Sequence, residues 1–472
     1  MGVKMKRTTV IATILAILLV LAGCAAEEQT RPAAADGTAA ERTEEERQTP
    51  AAVEPEPEPE PEPEAAGHYE VKTENVKDKY EDGGVVLAKT DNDYPVLELV
   101  CDGGDGKQPP EEMQTVADAF NRGSWGYMLE LDSAYELGVS ALEQYNGTDA
   151  AYRQYFSPYS DITEICSTYE HGELLDVQIF HSVYWGGAHG AEDFRNFHFD
   201  LKTGEFFELS DLTDTPEKLR SAIAGDIIDG IFERGEERAY FDGFAQTIKE
   251  REEYNVSFGE DGISVIFSEY EIAPYASGMP EFSVPYEKIA RFLNERGRRL
   301  LDLPPETFVL GDYYDALELW YWFEGSVPLD YDDTREGTIT NEYGTYEMPY
   351  LRVDEPGIRT LADLRARLLT RFSERLVDER MNETSLAMFQ EFDGVLYAAA
   401  AGRGTDITVE SVDCEVRFNA SKDGGDILAN IHRRDYDEKA EKWYSTGVVD
   451  QVPIPFVMGE NGAVFDWFPT IW

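Results

Sequence analysis

The stretch from Tyr184 to Leu212, Y-W-G-G-A-H-G-A-E-D-F-R-N-F-H-F-D-L-K-T-G-E-F-F-E-L-S-D-L, holds side chains of the types that do metal or hydrolytic chemistry. His189, Glu192, Asp193 and His198, with His181 just upstream, offer imidazole nitrogens and carboxylate oxygens, the groups that ligate zinc and act as general bases. Zinc needs three such groups converging, and H-E-x-x-H achieves this by placing two histidines on one helix face. Here the spacing is H-x-x-E-D-x-x-x-x-H across a loop and a strand, which does not force convergence. Gly186, Gly187 and Gly190 instead predict a tight turn with positive φ, with Ala188 and His189 filling its inside. Tyr184, Trp185, Gly186, Gly187 and His189 are therefore read as a recognition loop or turn. No catalytic residue, metal or cofactor is expected. A metal-assisted hydrolase built on His189, Glu192 and His198 is the competing reading.

Other chemistry finds less support. The chain has no G-x-S-x-G, H-E-x-x-H or Walker loop. With 94 Asp and Glu, no carboxylate pair stands out as a glycosidase dyad. Tyr313, Tyr314, Trp320, Tyr321, Trp322 and Phe323 suit a carbohydrate or peptide groove but serve equally as core strand residues, and core is the favoured reading. The four cysteines, Cys24, Cys101, Cys166 and Cys414, have no zinc spacing. With Cys24 set aside, at most one disulfide remains, Cys101 with Cys166, against the alternative of three buried thiols.

Charge narrows the partner. The net charge of −53 repels phosphate backbones, so nucleic acid is excluded, while basic proteins would be attracted. Solubility is the simpler use of the same charge.

The elements that must position these residues follow from the chain in order. Lys4, Lys6 and Arg7, the apolar run Val10–Leu21 and the ending Leu21-Ala22-Gly23-Cys24 form an export signal over residues 1–23. The tetrapeptide resembles the bacterial lipobox, which implies a lipidated Cys24 anchored in the membrane. Residues 24–67 form an acidic, disordered tether whose alternating Pro and Glu from Glu54 to Glu64 favour an extended polyproline helix, roughly 34 Å at about 3.1 Å per residue.

Folded structure is expected from His68, as two or three α+β domains with antiparallel sheets: an N-terminal part 68–160, a domain 161–302 and a domain 306–472. Val85–Ala88 and Val96–Val100 predict paired strands about a turn at Thr90–Pro95. Helices are predicted over Pro110–Ala119 and Asp132–Tyr145. Alternation puts His181 on the apolar face of a strand with Leu175, Val177, Ile179 and Val183, as a core histidine. Thr215 and Pro216 open a helix with Leu219, Ile223, Ile227 and Ile231 on one face, and Gly259–Gly262 turns a hairpin. Tyr286–Arg298 reads as a further helix, and Leu303-Pro304-Pro305 as a boundary. Beyond it Thr360 caps a helix, and strands follow from Phe392 to form a curved sheet.

Y-W-G-G-A-H-G followed by F-H-F-D-L-K-T-G-E-F-F-E-L-S-D-L, with the later hairpin and S-V-P-Y at Ser283–Tyr286, resembles the extracytoplasmic domain of RsiV-type anti-sigma factors, which also occurs beside peptidoglycan deacetylase domains. The resemblance spans about Tyr69–Leu301 and implies recognition of lysozyme, a basic wall-degrading enzyme. A lipid anchor in place of a transmembrane helix, and no segment before the signal peptide, argue against a direct anti-sigma role. L-A-D-L-R-A-R-L-L, F-D-G-V-L-Y, G-R-G-T-D-I-T and F-P-T-I-W, from about Thr360 to Trp472, resemble the IseA-type inhibitors of DL-endopeptidases. Together these imply a non-enzymatic lipoprotein on the outer face of a bacterial cytoplasmic membrane that binds a wall hydrolase as inhibitor or sensor. A structural or ligand-binding envelope lipoprotein is a further alternative.

Overall fold

Glycines at 83 and 84, both with positive φ (55° and 82°), turn the first hairpin. The computed structural model describes residues 67–101, 110–341, 344–382, 388–400, 406–437, 439–440 and 442–470, all within one unit, Pro63–Trp472. Cys24, the signal segment and the tether up to residue 66 lie outside them. β1 (Gly67–Asp82) pairs along its length with β2 (Val85–Cys101). The turn expected at Thr90–Pro95 is strand instead: Thr90 and Asn92 are buried, and the Pro95 carbonyl accepts from the Ser124 hydroxyl at 2.7 Å. Their polar side chains mimic turn chemistry in the sequence, whereas the glycine pair carries the actual reversal.

Two helices follow, α1 (Glu111–Met128) and α2 (Ala134–Gly147). The first lays Val116, Ala117 and Phe120 on the sheet; the second starts at a capping box between Ser133 and Glu136 and lays down Leu137 and Ala141. They cross to β3 (Tyr159–His171), which runs parallel to β2. β4 (Leu174–Tyr184), β5 (Ala191–Asp200) and the short β6 (Glu205–Phe206) complete a six-stranded sheet in chain order, antiparallel apart from β2 with β3. β4 is covered on both sides. Leu175 and Val177 pack with α1, while Leu174 joins a second core made by the next elements.

That second core is built on α3 (Pro216–Glu233), where Leu219, Ile223, Ile227 and Ile231 are all buried. Thr215 holds the N-cap position, but its hydroxyl makes no capping bond and faces Thr213. α4 (Phe244–Glu250) leads to the three-stranded sheet of β7 (Asn255–Phe258), β8 (Gly262–Ile266) and β9 (Glu281–Pro285). The helix expected over Tyr286–Arg298 is broken. α5 (Tyr286–Ile289) and a 3-10 turn, Ala290–Phe292, end where the Asn294 N–H donates to the Leu212 carbonyl at 2.9 Å, and the Asn294 side chain caps α6 (Glu295–Leu301) through the Gly297 N–H.

Pro304 and Pro305 start α7 (Pro305–Tyr321) at its N-cap and first turn. The aromatic residues of this segment are core, as expected, but on a helix and the π turn Trp322–Ser326: Tyr313, Trp320, Trp322 and Phe323 are buried. β10 (Leu329–Asn341) and β11 (Gly344–Val353) form a hairpin, and α8 (Leu361–Leu368) begins at a capping box between Thr360 and Asp363. α9 (Glu374–Asn382), β12 (Phe389–Phe392) and β13 (Val395–Ala399) follow, then β14 (Val409–Phe418), β15 (Gly424–Asp437), β16 (Lys442–Gly459) and β17 (Gly462–Phe465). The single curved sheet expected here is two four-stranded sheets, ordered β10-β11-β13-β12 and β14-β15-β16-β17. Cys101, Cys166 and Cys414 are all free thiols, so the disulfide reading is not realised; Cys166 is exposed and the other two half-buried, so three buried thiols is not the outcome either.

A buried ion network ties the last region to the preceding one. Asp315 of α7 accepts from Arg367 through both oxygens (2.6 and 3.1 Å) and from Arg371 Nε (2.7 Å), with Arg291 at 3.7 Å. One turn earlier Asp312 pairs with Arg371 (2.9 Å) and accepts the Ala463 N–H (2.7 Å). Burial pushes the Asp315 carboxyl up, but the arginines outweigh it and hold the group below the usual carboxylate range. A depressed carboxyl contributes stability above its unfolded value of about 3.9 and loses it as pH falls through the folded value. Urea unfolding should therefore show stability falling below about pH 4. At neutral pH Asp315→Ala, which strands buried arginines, should cost about 3–5 kcal/mol.

Candidate functional site

Gly186 and Gly187 both have φ near +90° (90° and 99°), so the chain leaves β4 through a left-handed reversal that only glycine makes without strain. Gly190, expected to do the same, does not; a Cβ there would lie 2.5 Å from the Val183 carbonyl oxygen, so close approach excludes a side chain. The Tyr184 hydroxyl closes the loop by donating to the Gly187 carbonyl at 3.1 Å. Trp185 Nε1 donates to Asp132 at 3.0 Å with its ring exposed, and the Asp132 N–H donates to Asp161 at 3.0 Å. Asp161 also meets His181 Nε2 at 3.1 Å. His181 thus lies where alternation places it, half-buried and satisfied, in a relay that seats the Trp185 loop on the start of α2.

Ala188 and His189 do not fill the inside of the turn; both are exposed. The small glycine reversal leaves no interior to fill, and Gly186 is already within 3.0 Å of Gln144 and Tyr159 at the position its Cβ would take. His189 turns outward. Its Nδ1–H donates to the Gly190 carbonyl at 2.8 Å, and its ring stacks on Tyr275 (4.6 Å between centroids, 28°). Tyr275 stacks in turn on Tyr270 (5.6 Å, 26°). Both tyrosines come from the segment after β8, 55% and 38% exposed for Tyr270 and Tyr275, and are held there by the buried Ile272 and Ala273 between them.

Tyr270 has φ of 61°, a left-handed conformation unusual for a bulky residue and one that concentrates at functional sites. Two carboxylates flank the rings. Burial pushes the Glu269 carboxyl up, the like charge of Glu192 adds to this, and His189 opposes both. The same two carboxylates, after desolvation, raise the Tyr275 hydroxyl. The result is an exposed aromatic trio with an acidic margin. Periodicity does not reveal Tyr270 and Tyr275, because they lie in an irregular segment; the only sequence signal is their spacing around Pro274.

The expected alternative, a metal site, does not assemble. Glu192 and His198 lie six residues apart on β5, roughly 20 Å at about 3.3 Å per residue. His198 is buried, bonded through Nδ1 to Asp176 (2.8 Å) and set edge-on against Phe258. The other Asp176 oxygen accepts the Phe258 N–H at 2.8 Å, so this pair pins the β7–β8 hairpin to the six-stranded sheet. The D-L-K-T-G turn is also structural: Asp200 accepts the N–H groups of Lys202 and Thr203 and pairs with Arg299 of α6. Among the described residues no three His, Cys, Asp or Glu side chains converge as a metal site.

Residues 211–287, from the end of the Tyr184–Leu212 stretch through β9, match the family model described as "Protein of unknown function (DUF3298)". Two solved structures of that family are similar to this chain. A protein from Bacteroides fragilis is 19% identical, with 49% of this chain and 96% of that one covered, at a TM-score of 0.34. A second, from Pseudomonas aeruginosa, is 14% identical, covering 48% and 95%, at a TM-score of 0.31. No curated protein matches the chain.

The division between outward and inward histidines is testable by stability. Asp176→Ala leaves the His198 ring and the Phe258 N–H without their buried acceptor and should cost about 1–3 kcal/mol in urea unfolding. His189→Ala, at the surface, should change stability by less than about 0.5 kcal/mol.

Proposed function

We propose that this chain is a non-enzymatic binding lipoprotein of the bacterial envelope. Through lipidated Cys24 and the Pro/Glu tether it stands on the outer face of the cytoplasmic membrane and holds a basic wall hydrolase, lysozyme or a DL-endopeptidase, as inhibitor or sensor. The observation that carries this reading is the His189–Tyr275–Tyr270 stack with Glu192 and Glu269 at its margin. Exposed tyrosines on a rigid support supply large contact area at low entropic cost, and a carboxylate beside a ring face suits an arginine or lysine. The net charge of −53 steers a cationic protein toward it. The resemblances of the two regions to wall-related binding domains point the same way. A hydrolase on His189, Glu192 and His198 is disfavoured because Glu192 and His198 stand roughly 20 Å apart along β5 at about 3.3 Å per residue, and the buried His198 is bonded to Asp176.

The test is capture of lysozyme and of purified DL-endopeptidases on the immobilised protein at about 20 mM and about 150 mM salt. Binding to at least one is expected, with a faster on-rate at low salt. Tyr270→Ala with Tyr275→Ala should weaken it at least tenfold, about 1.4 kcal/mol. No binding to any of them at low salt would end this reading.

A further inference from the structure

The two sides of β15 are unlike. Ile427, Ala429 and Ile431 enter the core, and alternation turns Asn430, His432, Arg434 and Tyr436 to the opposite side, away from it. Across the neighbouring strands this outward side carries a hydrogen-bonded row. The Gln451 amide of β16 donates to the Asn430 side-chain oxygen at 2.8 Å, and the Asn430 amide donates to Asp413 of β14 at 2.8 Å. The other Asp413 oxygen meets His432 Nε2, and all four side chains are exposed or half-buried. Further along the same strand pair, Tyr436 and Trp443 stand opposite each other, 5.3 Å between ring centres and 42% and 40% exposed. The Arg434 guanidinium lies 4.8 Å from the centre of the Trp443 ring and is held there by its Nε–H, which donates to the Ile407 carbonyl at 2.9 Å.

The polar row decides what this face holds. A protein partner dries the centre of its interface, and that centre would here be amides, an imidazole and a carboxylate whose remaining donors and acceptors lose their water. Phosphate backbones are repelled by the net charge of −53. A metal ion needs several free oxygen ligands, and both oxygens of Asp413 already accept. A sugar chain meets these demands. Each hydroxyl both donates and accepts, so it replaces water at Gln451, Asn430, Asp413 and the Arg434 fork, while the C–H face of a ring packs on the exposed indole. Charge agrees: Arg417 and Arg434 stand on this side against Asp413, Glu415 and Asp426, which leaves the face close to neutral in a strongly acidic chain and suits an uncharged ligand.

We infer that the outward face of β14, β15 and β16, from Gln451 to Trp443, is a binding site for an uncharged linear oligosaccharide, separate from the His189 loop.

Calorimetric titration of the full chain with chitopentaose and with cellopentaose tests it. Binding of at least one is expected, with an affinity that changes less than about twofold between about 20 mM and about 150 mM salt, because the ligand carries no charge. Trp443→Ala should weaken it at least tenfold, and so should Asn430→Ala/Gln451→Ala, which leaves the aromatic pair in place. Tyr331→Ala, at a tyrosine 78% exposed on β10, should leave it unchanged. Binding of chitopentaose alone shows that the acetamido group is read, and binding of cellopentaose shows that ring and hydroxyls suffice. Binding of neither overturns the inference, as does binding that survives either the Trp443 or the Asn430/Gln451 variant. Neither result bears on hydrolase capture, which the Tyr270 and Tyr275 variants read.

Discussion

Asp315 is the residue on which the arrangement of the folded chain most depends. A carboxylate buried on α7 is tolerable only with compensating charge, and here three arginines supply it: Arg367 and Arg371 at the end of α8 and just beyond it, and Arg291 from the 3-10 turn before α6. Arg371 extends the network to Asp312, which holds the Ala463 N–H at the start of β17. Gly462 is required there, because a Cβ would fall on the Asp312 carboxylate. One charged cluster therefore fixes the long helix, the final hairpin and the region before the Pro304–Pro305 junction in a single packing. Lys288 on the Tyr314 ring and Lys218 near Glu355 cross the same junction. Proline pairs stop helices, but they do not prevent the flanking elements from being welded together by side chains.

A second constraint of the same kind serves the loop. β4 is buried on both faces, so its polar residues must be satisfied within the protein. Asp176 on one face takes the hairpin through Phe258 and His198, and His181 on the other takes Asp161 and, through Asp132, Trp185. The two inward histidines thus spend their nitrogens on architecture. His189, beyond the glycine reversal, is released to the surface and meets the tyrosines of a segment about 80 residues later in the chain. The loop meets the aromatic pair in a molecule whose β7–β8 hairpin is pinned to the sheet through Asp176.

Much of this was legible in the sequence wherever a local rule governs. The isoleucine stripe of α3, the capping box at Thr360, the glycine turn between β7 and β8 and the strand following the glycine loop all follow from periodicity or turn chemistry. Misreadings fall where tertiary contacts override local preference. Thr90–Pro95 has the composition of a turn, yet it is strand, because β1 pairs along its whole length and α1 covers it. Tyr286–Arg298 has helical periodicity, yet Asn294 breaks it to bond Leu212 and Asp211. The α7 aromatics were legible as core but not as helix. For the site, the glycines announced a loop, and nothing local announced that its partners would be Tyr270 and Tyr275, or that His189 would face outward to meet them.

The proposed binding role requires that a basic wall hydrolase, if bound, cover the His189 loop and the two tyrosines. Amide hydrogen exchange of the full chain, with and without saturating lysozyme or DL-endopeptidase, reads this directly. Added protection concentrated over residues 185–192 and 268–278 is the predicted result. Protection confined to other segments, or none with either partner at low salt, would contradict it.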